Sequence, residues 1–459
     1  MKNKSNQTTS PLDTLPLFDC LNPILHKTLI GHLAVIAQAI LTMTGRVTML
    51  GIARWTEKGG SYRTIQRFFA QTVPWTQVLV TFFETHLFAL NREYILAGDE
   101  TVVTKAGAQT HGIERLFSGL FGKVVKGLGF FVFSLVDVAE RKAYPLAVKQ
   151  MVRSEAEKQA IQAQKKKRAK QSRKSPNQKK GRKKGSQNKA KNELNLSPEL
   201  LRINELLSFL LGFLKHFVKV KYLALDGHFG HHQAVLMARE NELHLISKLR
   251  KDSALAEKYE GEYSGKGPKK KYGERLKYDL LPAKYLKKSE PEKEIITNYY
   301  QGIFLHKEFG CELNVVIIVK LNQKTKKVGH AILFSSDVEL GWEKLTEYYG
   351  LRFQIEFNFR AAKQHFGLED FMNTTETGVE NAANVAFLMV NLGAKMIKES
   401  GEKCVGVLDL KTHYRGVKYA LETIKLILKN PEVILINQIK EEIGKLGRIH
   451  NAKIATSTA

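Results

Sequence analysis

The chain reads as an α/β protein: a mixed sheet flanked by helices, with an all-helical N-terminal region, a β-rich block late in the chain and a helical C-terminal region. Three observations predict this. From about Asn22 to Leu90, apolar residues recur at helical spacing. From Tyr94, short runs of strand formers alternate with helix-like segments, the pattern of a sheet covered by helices. Residues 251–335 then alternate apolar with polar and basic side chains before helical spacing returns near Gly341.

Residues 1–20 are expected to form a flexible lead. "LIGHLAVIAQAIL" and "WTQVLVTFFETHLFAL" carry the helical spacing that follows. Between them, "VTMLGIARWTEKGGSYRTIQRFFAQ" reads as a helix, a Gly59–Gly60 turn and a second helix capped by Ser61. Two readings stand side by side. It is either a helix-turn-helix presenting Tyr62, Arg63, Gln66 and Arg67 to a DNA groove, or an ordinary helical hairpin.

"YILAGDETVV" is an apolar strand, and "FFVFSLVDVAERKAYPLAVKQMV" is two strands joined by a turn at Ala139–Lys142. A basic loop at 163–193 follows, with 14 Lys or Arg and no acid in residues 165–191. Such a block cannot bury a core and is expected to be disordered by itself, either solvated or against phosphate. "SPELLRINELLSFLLGFLKHF" is a helix with Ser197 as N-cap and Pro198 in its first position. "VKYLALDGHFG" is a strand and turn, "HHQAVLMARENE" a helix and "LHLISKLR" a strand. "KEIITNYYQGIFLHKEFGCELNVVIIVKL" and "GHAILFSSDV" make 251–335 β-rich, and the helical end carries a breaker near Asn430–Pro431. The expected divisions are 1–93, a helical DNA-binding domain; 94–250, the first part of a catalytic core; 251–335, a β-rich insertion; 336–400, the second part of the core; and 401–459, a helical C-terminal region.

The 459 residues include 72 basic and 45 acidic side chains, a net charge of +27. That balance favours a polyanionic partner, nucleic acid first, with an anionic membrane or the ribosome as rivals. The three cysteines, Cys20, Cys311 and Cys404, show neither disulfide nor zinc spacing, which suits a reducing cytoplasm. No stretch reads as membrane-spanning, and the N-terminus lacks a signal-peptide core. A cytoplasmic, nucleoid-associated protein is expected.

Asp99 follows "YILAG" and Asp226 follows "KYLAL", each at the end of an apolar strand. A strand end is rigid and opens onto solvent, which suits a metal ligand. Either residue alone would equally serve as a turn former or helix cap. A third acid, Glu356, lies in "YYGLRFQIEFNFRAAKQHFGLEDF" among Tyr349, Arg352, Arg360 and Lys363. On a continuous helix Tyr349, Arg352, Glu356 and Lys363 would fall within an arc of about 60°. One reading is an ion-paired surface helix; the other is a carboxylate holding a divalent ion, with cations and a phenol gripping phosphates.

The spacing Tyr349-x2-Arg352-x3-Glu356-x6-Lys363 resembles the YREK signature of bacterial insertion-sequence DDE transposases of the IS-four type. Asp99-Glu100-Thr101 with "KAGAQTHGIERLFSG" resembles the first-aspartate motif, and Asp226-Gly227-His228-Phe229 the second. The likeness covers about 94–400, with Glu100 departing from the second Asp of several relatives. It implies an RNase H-like catalytic core interrupted by a β insertion. It also implies that Asp99, Asp226 and Glu356 bind two Mg²⁺ ions (or Mn²⁺). Tyr349, Arg352 and Lys363 would grip DNA ends, a hairpin intermediate included, and a homodimer would form on paired ends.

Lys105 and Lys123 are further candidate phosphate contacts. His228, His231 and His232 suit a helix start better than a zinc set, since no cysteine or acid completes one. The function expected is transposition: recognition of terminal inverted repeats in double-stranded DNA, then cleavage and transfer into target DNA. The alternatives are a non-catalytic DNA-binding relative or repressor, and an RNase H-like nuclease without strand transfer.

Overall fold

The helical spacing of the first ninety residues folds as expected, and packing begins earlier than expected. The computed structural model describes residues 13–56, 60–119, 121–172, 193–263, 265, 269–401, 404–427 and 433–445. A 3-10 helix at Leu15–Leu21 buries Phe18 and Leu21, so part of the expected flexible lead is packed. The Phe18 ring lies against Phe82, and the Thr14 hydroxyl donates to the Ala34 carbonyl at 3.0 Å. Helix α1 (Lys27–Thr42) precedes α2 (Met49–Trp55), α3 (Tyr62–Phe69) and α4 (Trp75–His86). Thr48 caps α2 by accepting from the Gly51 N–H, and Ser61 caps α3 by accepting from the Thr64 N–H. In α3, Ile65, Phe68 and Phe69 are buried one helical turn apart, which leaves Tyr62, Arg63, Gln66 and Arg67 exposed on the other side.

The next elements are β1 (Tyr94–Thr104), β2 (Glu114–Ser118), β3 (Lys123–Asp137), β4 (Lys142–Gln150), α5 (Glu155–Ser172), α6 (Pro198–Leu214), β5 (Tyr222–Leu225), α7 (His232–Glu240) and β6 (His244–Leu249). Strands β7 (Leu255–Lys258), β8 (Tyr272–Arg275), β9 (Leu286–Glu292), β10 (Ile295–His306), β11 (Glu312–Asn322) and β12 (Val328–Ser335) follow. Helices α8 (Trp342–Leu351), α9 (Gln354–His365), α10 (Glu376–Ser400), α11 (Val407–Ile427) and α12 (Val433–Lys445) complete the described chain. The basic loop expected from residue 163 is helical to Ser172, because no Gly or Pro interrupts its Lys, Arg, Gln and Ala. The remainder of that tract and the Asn430–Pro431 breaker lie outside the described residues.

Twelve strands hydrogen-bond into one mixed sheet in the order β2-β3-β1-β5-β6-β12-β11-β10-β7-β8, with β4 beside β3 and β9 beside β10. Antiparallel β1, β3 and β4 next to parallel β5 and β6 are consistent with an RNase H-like fold. The parallel links need crossovers, which the segments containing α6 and α7 supply. Residues 251–335 join the same sheet, where β12 pairs β6 from Ile332↔Leu249 to Ser335↔Ile246.

Alternation divides the sheet between two cores. Ile95, Ala97, Ala224, Ile246 and Leu333 pack with Leu345, Tyr348 and Leu351 of α8. Leu96, Leu223, Leu225 and Leu245 join the larger core, which includes Leu207 of α6 and Val235 of α7. Asn381 of α10 ties the N-terminal helices down: its amide donates to the Phe69 and Gln71 carbonyls, and its oxygen accepts from the Trp75 indole at 2.7 Å. Among the described residues, no helix is long and apolar enough to cross a membrane.

Candidate active site

The sheet register brings two of the sequence-predicted acids together. Gly98 pairs with Leu225 at the end of the parallel β1–β5 ladder, so the next residues are Asp99 and Asp226. Adjacent strands lie about 4.8 Å apart. Two residues back, Ala97 and Ala224 both face the core under α8, and the period of two directs both aspartates to that face. Gly98 makes the approach possible. A Cβ there would stand 2.8 Å from Leu225 Cδ2 and 2.9 Å from Phe133 Cε1. The strand end expected at Asp99 is corrected here, because β1 runs on to Thr104, whereas Asp226 does follow the last residue of β5. The Asp99 carboxylate accepts from the Glu100 N–H at 2.8 Å, and that of Asp226 from the His228 N–H at 3.1 Å.

Glu356 enters from above, half-buried in the first turn of α9. The single helix expected from Tyr349 to Lys363 is corrected here. Helix α8 ends at Leu351, α9 begins at Gln354, and Arg352 and Phe353 form the junction. Backbone bonding tightens there from four-residue to three-residue spacing: the Phe353, Ile355 and Glu356 N–H groups donate to Gly350, Arg352 and Phe353 carbonyls. The junction places Arg352 against β1, where Nη1 donates to Asp99 Oδ2 at 2.5 Å. Its guanidinium carbon lies 5.8 Å from the Tyr349 ring centre. Lys363 Nζ donates to the Val102 carbonyl at 2.8 Å, three residues past Asp99 on the same strand.

Burial pushes the Asp99 carboxyl up to about 6; Arg352 opposes that rise, while Asp226 and Glu356 add to it. The three acids therefore share one electrostatic neighbourhood. Burial also raises the Tyr349 phenol and lowers the Lys363 ammonium. Arg352 Nε is buried without a hydrogen-bond partner, so the guanidinium keeps a free donor beside the carboxylates.

The other predicted residues lie further out. Arg360 is exposed, with its guanidinium over the Phe357 ring at 5.3 Å. Lys105 Nζ is engaged by the Glu369 and Phe371 carbonyls and the Phe371 ring, and burial lowers it to about 8. Lys123 is exposed where β3 begins. Tyr62, Arg63, Gln66 and Arg67 belong to α3, away from the three acids in the chain and on their own surface. His231 caps α7 by accepting from the Ala234 N–H, as a helix start requires.

Sequence reasoning missed the partners on the reverse face of β1. Glu100 lines a cleft of about 330 Å³ with Arg153, Glu157, Glu199 and Arg202. Desolvation in that cleft pushes the Glu100 carboxyl up to about 6, and Glu199 adds to the rise. His228 is raised by Glu199, whose carboxylate lies 3.5 Å from its Nε2. Glu93 was also missed; it accepts from the Tyr348 hydroxyl at 2.5 Å and pins α8 to the start of β1. Only the adjacency of Glu100 to Asp99 was a usable signal, since the other two acids meet their partners through the fold.

A family model described as DDE superfamily endonuclease matches residues 16–301, more than half of the chain. The chain belongs to the DDE superfamily endonucleases. No curated protein matches it. The matched span contains Asp99 and Asp226 and ends before α8 and α9. The endonuclease is thus a nuclease- or transposase-type enzyme with DNA as substrate.

Endonucleases of this superfamily generally use divalent metals. The donor chemistry here fits a hard cation, since Asp99, Asp226 and Glu356 are all carboxylates. Burial first, and Asp226 and Glu356 after it, raise the Asp99 carboxyl against the pull of Arg352, and a cation beside it would favour the charged form. Among the described residues, no three potential ligands close on a single point, and Asp99 is engaged by Arg352. A cation held by Asp99 would share its carboxylate with Arg352 and the Glu100 N–H or displace one of them.

Proposed function

We propose that this endonuclease is the transposase of an insertion sequence of the IS-four type. It would bind terminal inverted repeats, cut them and join them to target DNA as a homodimer. What supports the reading is Asp99 beside Asp226 on one face of the sheet, Glu356 near enough to act on the Asp99 carboxyl, and Arg352 paired with Asp99 next to Tyr349, with Lys363 bonded further along the same strand.

In this reading Asp99, Asp226 and Glu356 hold two Mg²⁺ ions. When bound, the ions supply positive charge for the attacking and leaving oxygens of a phosphodiester. Arg352, paired with Asp99 and with no partner for its buried Nε–H, would hold a phosphate oxygen brought beside Asp99. The Tyr349 phenol stays protonated near neutral pH and donates to the backbone beside the cut. Lys363 steadies β1 behind Asp99. The exposed residues of α3, namely Tyr62, Arg63, Gln66 and Arg67, supply a groove-reading face for the repeat.

The test uses a supercoiled plasmid carrying the gene with its natural flanking DNA. Wild type should nick at the flanks with Mg²⁺ and yield joined products when a target plasmid is added. Glu356→Ala should keep flank binding and lose at least about 10³-fold of the nicking, since it removes one of the carboxylates that would hold the ions at the reacting phosphate. Nicking without joining would leave a nuclease, and binding without nicking a non-catalytic DNA-binding protein.

A further inference from the structure

Strands β2 and β3 continue as a hairpin past the end of β1, whose last pair with β3 is Thr104↔Gly127. Beyond it the hairpin pairs run from Glu114↔Gly127 to Ser118↔Lys123, without a register shift. Directly paired residues share a face. One face therefore carries Arg115 with Lys126 and, beyond them, Phe117 with Val124. The opposite face carries Leu116, only 7 % exposed, with Val125, and Glu114, which pairs with Arg153 at 3.0 Å. The hairpin is anchored by one face and leaves the other to solvent.

The free face is an unusual surface. Phe117 is 65 % exposed, Val124 49 % and Phe121 at the tip 53 %. Arg115 and Lys126 are exposed beside them, and among the described residues no carboxylate pairs with either. Lys126 only donates to the Ala106 carbonyl, at 3.3 Å. Single exposed apolar residues are ordinary, whereas an aromatic tip behind two unpaired cations combines apolar contact with anion attraction.

Alternation along β3 settles which way this face looks. Val132 is opposite Asp99, and even-numbered residues from Val132 through Phe130, Leu128, Lys126 and Val124 share its side. The cationic and aromatic face is thus on the Asp99 side of the sheet. Six to eight residues of strand separate Val132 from Lys126 and Val124, roughly 20–27 Å, or about six to eight base pairs of B-form DNA. Gly127 is the root, where a Cβ would meet the Val103 carbonyl oxygen at 2.3 Å and push the hairpin away.

We propose that this face is a clamp for duplex DNA six to eight base pairs from the cut, Arg115 and Lys126 contacting phosphates and Phe117 entering the minor groove. The inference rests on the transposase reading, because it takes Asp99 as marking the cut. The shape suits duplex DNA, whose charge the cations match and whose groove accepts apolar wedges.

Full-length protein in EDTA, titrated with a fluorescent 30-base-pair duplex across a salt series, tests it. Arg115→Gln with Lys126→Gln should flatten the dependence of log K on log salt by between one and two, because two phosphate contacts are lost. Phe117→Ala should weaken binding about fivefold with the slope unchanged, since an apolar contact releases no counter-ion, and Phe117→Trp should restore it. Variants that bind as wild type does would overturn the clamp and leave the transposase reading standing. Loss of self-association by Phe117→Ala, read by light scattering without DNA, would also overturn the clamp by making this face a contact between copies. A wild type that shows no salt-dependent binding to any duplex would remove the transposase reading and the clamp together.

Discussion

Replacing Asp99 by Asn should raise the unfolding temperature of the metal-free protein at pH 8, and the gain should vanish by about pH 4. The reason lies in how the fold treats this carboxyl. Burial, opposed by Arg352 and reinforced by Asp226 and Glu356, moves it from 3.8 to about 6. A group whose folded pKa exceeds its unfolded value holds its proton more tightly in the native state. Its contribution to stability is complete below the unfolded value and is lost as the pH rises through 6. Roughly two units at about 1.36 kcal/mol each amount to about 3 kcal/mol lost by pH 8. The Asp99 side chain is only 15 % exposed, so solvent screening takes little from that figure. Asn carries no charge and keeps one oxygen for Arg352; its amide nitrogen cannot accept from the Glu100 N–H as the second carboxylate oxygen does, which takes about 1 kcal/mol from the gain and leaves about 2 kcal/mol. Scanning fluorimetry from pH 4 to 8 in EDTA, with wild type and variant in parallel, measures the effect. Added Mg²⁺ should then raise the wild type at pH 8 and leave the variant nearly unmoved. A variant less stable than wild type at pH 8 in EDTA would refute the reasoning, because attraction to Arg352 would then outweigh burial and repulsion together.

Gly98→Ala should cost about 1–3 kcal/mol through its contacts with Leu225, Phe133 and Phe131, and should depress nicking beyond what partial unfolding explains, because it parts Asp99 from Asp226. Denaturant midpoints and nicking rates on one preparation separate the two effects. Asn381→Ala removes three buried hydrogen bonds and should cost about 3 kcal/mol or more. Amide exchange should quicken in α3 and α4 and stay slow in β1 and β3; equal acceleration everywhere would show that the asparagine does not specifically tie the two parts.

Much of the local structure could be read directly from the residues. Ser61 and Ser197 cap the helices they were expected to open, and the turn at Ala139–Lys142 joins β3 to β4. These features depend on neighbours a few residues apart, so side-chain hydrogen bonding and periodicity announce them. Reading α8 and α9 as one helix failed because Arg352 and Phe353 retain right-handed helical dihedrals while the hydrogen-bond spacing shortens. No composition signal marks such a change. The buried start at Phe18 was equally hidden, since its partner Phe82 is far along the chain.

The sequence by itself determined the strand end at Asp226, the cationic surplus and the spacing that puts Glu356 among Tyr349, Arg352 and Lys363; it did not show that β1 runs five residues past Asp99. Tertiary structure alone decided that Gly98 faces Leu225, that Arg352 claims Asp99, and that the Arg115 and Phe117 face lies on the side of Asp99. The first two join residues more than a hundred positions apart, and the third follows from the register of β3 against both β1 and β2. Local propensity carries no record of such pairings; the burial energy of the assembled sheet selects them.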